Sequence, residues 1–164
     1  VVEIVIAMLV MGIMAAAAMP RYRAALSRYR VDAAAQRIAA DLNHVRARAN
    51  MVGAGGTGEW VSFYPTSDSY RLYNDPDIDR PSEEYFVYFG RTSYPVDLVS
   101  AEFTNVNGYS SNYTVKYDYY GTAKSGNPPT NPDAPLSSGQ IVVAAGGQQR
   151  TVVIHPITGI ASVQ

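Results

Sequence analysis

The residues with chemistry to offer are few. The 164-residue chain contains no cysteine, which excludes a disulfide framework, thiolate zinc sites, iron–sulfur clusters and a cysteine nucleophile together. Two histidines, His44 and His155, supply too little for a histidine-based metal site or triad. His155 stands between Ile154 and Pro156 with no neighbouring acid or nucleophile motif, the setting of a structural histidine rather than a general base. Residues 53–58, GAGGTG, spell a dinucleotide fingerprint. That motif needs a strand before it and a helix after it, so that helix amides face the pyrophosphate. The order here is helix then strand, and the segment reads as a hinge. Asp75, Asp77 and Asp79 begin like a calcium loop, but Arg80 replaces the turn glycine and Phe86 the closing glutamate, which excludes an EF-hand. Residues 74–84 read as a solvated acidic loop, with an irregular calcium site as the alternative. No G-x-S-x-G, H-E-x-x-H or Walker lysine is present. Asn112-Tyr113-Thr114 spells a glycosylation sequon. No enzymatic activity, cofactor or metal is expected.

Glu3 is the exception. It sits at the edge of residues 4–19, IVIAMLVMGIMAAAAM, a run without charge or strong polarity. A carboxyl at mid-membrane costs ~2.5–3.5 kcal/mol, less toward the interface, so such a residue calls for a partner. A glutamate resting among head groups and a buried carboxylate paired with a cation from another subunit are the two readings. The run itself, ~24 Å as a helix, admits three: a signal-peptide core, a buried helix, or a retained membrane anchor. A signal peptide normally opens on basic residues, and buried helices are rarely apolar on every face. The anchor is preferred.

After Pro20 the pattern becomes amphipathic. Val31, Ala35, Ile38, Leu42, Val45, Ala49 and Val52 recur at alternating spacings of four and three, a sustained helical stripe. Arg23, Arg30, Arg37 and His44 repeat every seven residues beside it, either as a solvated face or as a face packed on acidic neighbours. Asp32 and Asp41 each follow an arginine by four, the spacing at which Arg28–Asp32 and Arg37–Asp41 can pair. Residues 1–52 therefore predict one helix of about 78 Å, membrane anchor over 1–19 and amphipathic over 20–52, kinked or locally loosened near Gly12 and Pro20.

From 59 to 164 the period turns to two, predicting a globular antiparallel β domain. Strand candidates are 60–64, 70–73, 85–89, 96–103, 112–120, 141–145, 150–154 and 160–163, with long loops over 74–84 and 124–138. Thirteen tyrosines suit half-covered sheets. The fold class is α+β by segregation. Only 16% of residues are charged, against roughly 25% in an average soluble domain, which suits a chain that hides surface in lipid or against partners. The formal charge of −1 conceals a first part (1–52) at +4 and a remainder at −5.

Val1-Val2-Glu3-Ile4 through Met19-Pro20-Arg21 resembles the amino terminus of the type IV pilin superfamily, the subunits of type IV pili and of the type II secretion pseudopilus. The acidic residue, the apolar run and a proline seventeen residues after the glutamate carry the resemblance. It implies that two residues and a basic leader cut by prepilin peptidase precede Val1. It also implies that Glu3 neutralises the amino terminus of a neighbouring subunit, that Pro20 marks a bend, and that Gly12 begins a stretch that loosens in the filament. More loosely, the order 113–120, Gly121, Lys124-Ser125-Gly126, 139–145, 150–154 and Thr158-Gly159-Ile160 resembles the GspH/FimT-type pseudopilin domain. Some relatives bind DNA through a basic motif near the end. Residues 158–164 hold no basic side chain, so nucleic acid is not an expected partner. The resemblance implies a filament subunit that starts in the bacterial inner membrane, with copies of itself and other pilin-like subunits as partners. A minor or tip subunit that primes assembly, or that binds DNA or a secretion substrate, is the alternative.

Overall fold

The computed structural model describes residues 2–52, 59–76, 84–111, 113–127 and 131–164. One helix, α1 (Val2–Val52), is followed by ten strands: β1 (Glu59–Tyr64), β2 (Ser69–Pro76), β3 (Glu84–Tyr88), β4 (Asp97–Asn105), β5 (Ser110–Ser111), β6 (Thr114–Tyr117), β7 (Ala123–Asn127), β8 (Asn131–Ala145), β9 (Gln148–Ile154) and β10 (Ala161–Val163). Every pairing is antiparallel. The order along the sheet is β10-β9-β8-β7-β6-β1-β2-β3, with β4 on β8 and β5 on β4. The whole is an α+β arrangement of a long helix and a curled sheet. The 53–58 hinge reading, Asp77, Asp79 and Asn112 lie outside the described residues.

The curl is made by β8. Its first part pairs with β7 (Lys124↔Pro135, Ser125↔Ala134), and its second part with β4 and β9. One fifteen-residue strand thus serves two sheet segments, and they close around α1. This corrects the long loop expected over 124–138. Four prolines hid the strand, because proline cannot donate to a ladder. Pro135 accepts instead, from the Val106 amide at 2.9 Å, and its neighbours Ala134 and Leu136 are buried.

The core lies where the helical stripe meets the inward sides of both segments. Val31, Ala34, Ala35, Ile38, Leu42, Val45 and Ala49 are buried against Val61, Phe63, Tyr70, Leu72, Phe103, Ile141, Val152 and Ile154. The stripe ends one turn earlier than its periodicity suggests, since Val52 is 51% exposed. The 112–120 strand is also shorter than expected. Asp118 accepts from the amides of Tyr120 and Thr122 at 3.0 and 2.9 Å, and this local turn ends β6 at Tyr117. Val115 and Tyr117 therefore point inward, while Tyr113 and Tyr119 are exposed.

The last turn is set by contact. Gly159 has φ +67, and a Cβ there would stand 2.2 Å from the carbonyl oxygen of Gly121. Gly159→Ala meets both a left-handed backbone and a rigid obstacle, so it costs on the order of 1–3 kcal/mol or more. Denaturant unfolding of the full chain in detergent micelles checks this; an unchanged midpoint would show that the turn can move aside.

Candidate functional site

α1 has two halves with opposite surroundings. From Val2 to Ala16, and again at Met19, the described side chains of the helix are exposed and touch none of the domain core. Val2, Ile4, Val5, Ile6, Met8, Leu9, Val10, Met11, Ile13, Met14 and Met19 are all exposed. Each side chain of this size gains ~1.5–3 kcal/mol when fully buried, so the chain by itself leaves a large unfavourable surface against water. The helix is long and apolar enough to cross a membrane, and its most apolar window is not covered by the domain.

Of the residues singled out in the sequence, Glu3 lies in the first turn of this helix and is exposed. Gly12 is helical, with nothing within 4 Å of where a Cβ would stand. No contact within the chain requires its missing side chain; the space is free for an outside neighbour. Pro20 is interior to the helix. It has no N–H to donate to the Ala16 carbonyl one turn back, which removes one rung of the ladder, yet helical backbone continues through it. The structure does not bring Glu3, Gly12 and Pro20 together. It spaces them along one rod, at its tip, middle and exit.

The second half of α1 is fastened to the domain by polar contacts as well as by the stripe. The Asn43 side chain donates to the Ala161 carbonyl and accepts from the Ala161 amide, both at 3.0 Å, adding a pseudo-strand contact to β10. Arg46 donates to the Thr158 carbonyl at 2.7 Å. Arg37 donates to the hydroxyls of Tyr85 and Tyr94, both at 2.8 Å, and the Tyr70 hydroxyl donates to Asp41. Arg48 bonds Asp75 and stands 3.8 Å from Glu59, while His44 lies 3.2 Å from Asp75.

Burial pushes the Asp41 carboxyl up, against the opposing pull of Tyr70 and Arg37. The Tyr70 hydroxyl is held well above its ordinary value by burial and by the Asp41 charge. Partial burial opposes the Arg37 charge, but its two tyrosine hydrogen bonds outweigh that and hold it above the usual guanidinium range. Burial also raises Glu59, opposed by Arg48. The arrangement can anchor a helix. Among the described residues no group of three metal-ligating side chains converges.

The basic stripe therefore divides. Arg37 and His44 pack on domain groups, whereas Arg23 stays exposed. Arg37–Asp41 pairs along the helix at 3.9 Å, as its spacing predicts. Asp32 does not pair with Arg28. It takes Arg150 of β9 at 2.6 Å, and Arg28 turns to Gln148. Asp75 belongs to Arg48 and His44 rather than to solvent. Asn43 and Arg46 were missed by sequence reasoning; their only signal was position, each flanking the buried stripe within one turn.

Asp118 gives this part of the protein a pH dependence of definite sign. Burial opposes its charge, but Lys124 and the amides of Thr122 and Tyr120 prevail and hold its carboxyl below the usual value of 3.8. A depressed folded pKa adds stability that is present above the unfolded value and is lost as pH falls through the folded one. Asp118→Asn therefore flattens the acid limb below about pH 4, read as unfolding midpoint against pH. Asp41 and Glu59, both raised, act in the opposite sense as pH rises from that value. An acid limb identical in the variant would remove the assignment.

No family model, curated protein or solved structure matches the chain. The functional reading accordingly rests on the residues and their placement.

Proposed function

We propose that the chain is a structural subunit of a helical filament of the type IV pilus or type II secretion pseudopilus kind. It starts as a single-pass protein of the bacterial inner membrane with its β domain outside the cytoplasm, and is then drawn into a fibre through α1. The observation that carries this reading is the division of one continuous helix. Residues 4–16 are apolar on all sides and exposed, while residues 31–49 are fastened into the domain. A rod so divided transmits force between whatever holds its greasy end and the domain it carries. In lipid the exposed residues are solvated by acyl chains. In a fibre the same residues pack against copies, with Glu3 favouring one docking height and Gly12 leaving room for close approach. The work is mechanical.

The test is to follow the processed full chain in cells between the membrane and the fibre fraction. Imaging of native fibres should then trace residues 2–52 as packed core helices. A processed chain recovered only as a soluble monomer, joining no fibre, overturns the proposal.

A tip subunit that captures a ligand has one observation in its favour. The outward face of β1–β3 carries stacked rings, Trp60 on Tyr73 at 5.0 Å and Tyr64 on Phe86 at 6.2 Å. Nucleic acid suits this face poorly, because among the described residues its cation and those of the neighbouring β6 and β7 are taken: Arg71 by Glu84, Lys116 by Asp133 and Lys124 by Asp118. Phosphate binding needs cations to spare.

A further inference from the structure

Apart from three in α1, the arginines among the described residues have partners. Arg28 donates to Gln148, Arg37 to two tyrosines and Arg46 to Thr158; Arg48 pairs with Asp75, Arg71 with Glu84 and Arg150 with Asp32, and Arg91 lies over the Tyr88 ring. Arg21, Arg23 and Arg30 have none among the described residues. All three fall within the ten residues that follow Pro20. The acid next along the helix, Asp32, is held by Arg150.

Two of the three converge. Arg23, Ser27 and Arg30 are spaced by four and three residues, so they share one side of the helix. With Pro20 and Gly146 they line an open cleft of about 490 Å³ between α1 and the turn that joins β8 to β9. Gly146 keeps that cleft open. A Cβ there would stand 2.3 Å from the Ser27 hydroxyl oxygen, and the residue has φ +54. The cleft thus offers two guanidinium groups with a hydroxyl between them, a set of donors suited to the oxygens of a phosphodiester.

The position says which phosphodiester. Residues 2–19 make ~27 Å of helix, close to the ~30 Å hydrocarbon core, and a head-group layer ~5–8 Å deep lies beyond it. Arg21 and Arg23 fall within that layer. Arg30 lies ~10 Å further along the axis, within reach of its border by a long side chain that can fold back. Tyr22 and Tyr29, 70% and 67% exposed, stand in the same segment. Tyrosine is enriched at this depth because its ring suits the acyl boundary and its hydroxyl the water.

We propose that the cleft formed by Arg23, Ser27, Arg30 and Gly146 binds the head group of an anionic phospholipid, seating the domain on the bilayer before assembly. This rests on the membrane-inserted part of the function proposed above, and not on filament formation. A chain that selects anionic lipid yet never enters a fibre leaves this inference standing and removes the filament.

The test places the full chain in nanodiscs of equal phosphatidylglycerol and phosphatidylcholine, and reads by native mass spectrometry which lipid stays bound. Near-surface arginines each favour an anionic lipid about fivefold, so two give about 25-fold enrichment of phosphatidylglycerol. Arg23→Gln with Arg30→Gln lowers the enrichment at least tenfold, Arg23→Lys with Arg30→Lys keeps most of it, and Arg91→Gln leaves it unchanged. Equal retention of the two lipids, or enrichment that survives the double glutamine variant, overturns the proposal. So does displacement of the lipid by millimolar inorganic phosphate, which marks a free-anion site. Loss of self-association in place of lipid selection in the double variant also overturns it, and assigns the cleft to an acidic face of a second copy.

Discussion

Glu3→Ala is expected to leave the chain in the membrane fraction at its normal level and to lower its transfer into fibres at least tenfold. Alanine is easier than a carboxylate to hold at the edge of an apolar helix, so insertion does not suffer. Assembly does, if the carboxylate pairs with a cation of the neighbouring subunit inside a packed core. Truncating one partner of a desolvated charge pair costs ~2–5 kcal/mol, much of it from the cation left behind, and each 1.4 kcal/mol is tenfold. Glu3→Gln keeps hydrogen-bonding capacity without the charge and should fall between. The measurement is the ratio of sheared fibre to membrane-bound subunit by immunoblot. A wild-type ratio in Glu3→Ala would falsify the role given to this residue, since Glu3 would then be an interfacial glutamate and nothing more.

The second large effect separates the two halves of α1. Leu42 is 1% exposed and sits in the stripe that meets both sheet segments. Leu42→Ala removes a buried branched side chain from a site that can collapse only partly, at ~2–5 kcal/mol. For a chain of this length the thermal midpoint falls by on the order of 10 °C. Met11 lies in the same helix but is 70% exposed. Met11→Ala is expected to leave the midpoint of the chain in detergent micelles unchanged, and to weaken fibres instead. The pair of variants, scored for thermal midpoint and for fibre yield, should give crossed results. A stability loss from Met11→Ala would mean that the first half of the helix folds onto the domain, contrary to the separation on which the functional proposal depends.

Much of this protein is legible along the chain. The apolar run of residues 4–19 and the stripe from Val31 to Ala49 are patterns of one segment. A helix of period 3.6 converts such a pattern directly into a face or a full circumference. The hairpin of β8 and β9 around Gly146-Gly147 is local in the same sense, as is the Arg37–Asp41 pair. The three residues of the candidate site, Glu3, Gly12 and Pro20, belong to that class, because their meaning lies in their order on a single rod.

What the tertiary structure alone decided is everything that joins distant segments. Asp32 could pair with Arg28 by spacing, but sheet register sets Arg150 beside it. Arg37 finds hydroxyls from Tyr85 and Tyr94, and Asn43 finds Ala161. Residues 131–140 become strand despite their prolines, because β7, β4 and β9 lie alongside to complete the ladder. The physical reason is common to all of these. Helical period is a local property of backbone geometry, whereas the choice among distant partners depends on which strands are neighbours, and no short window of residues contains that information.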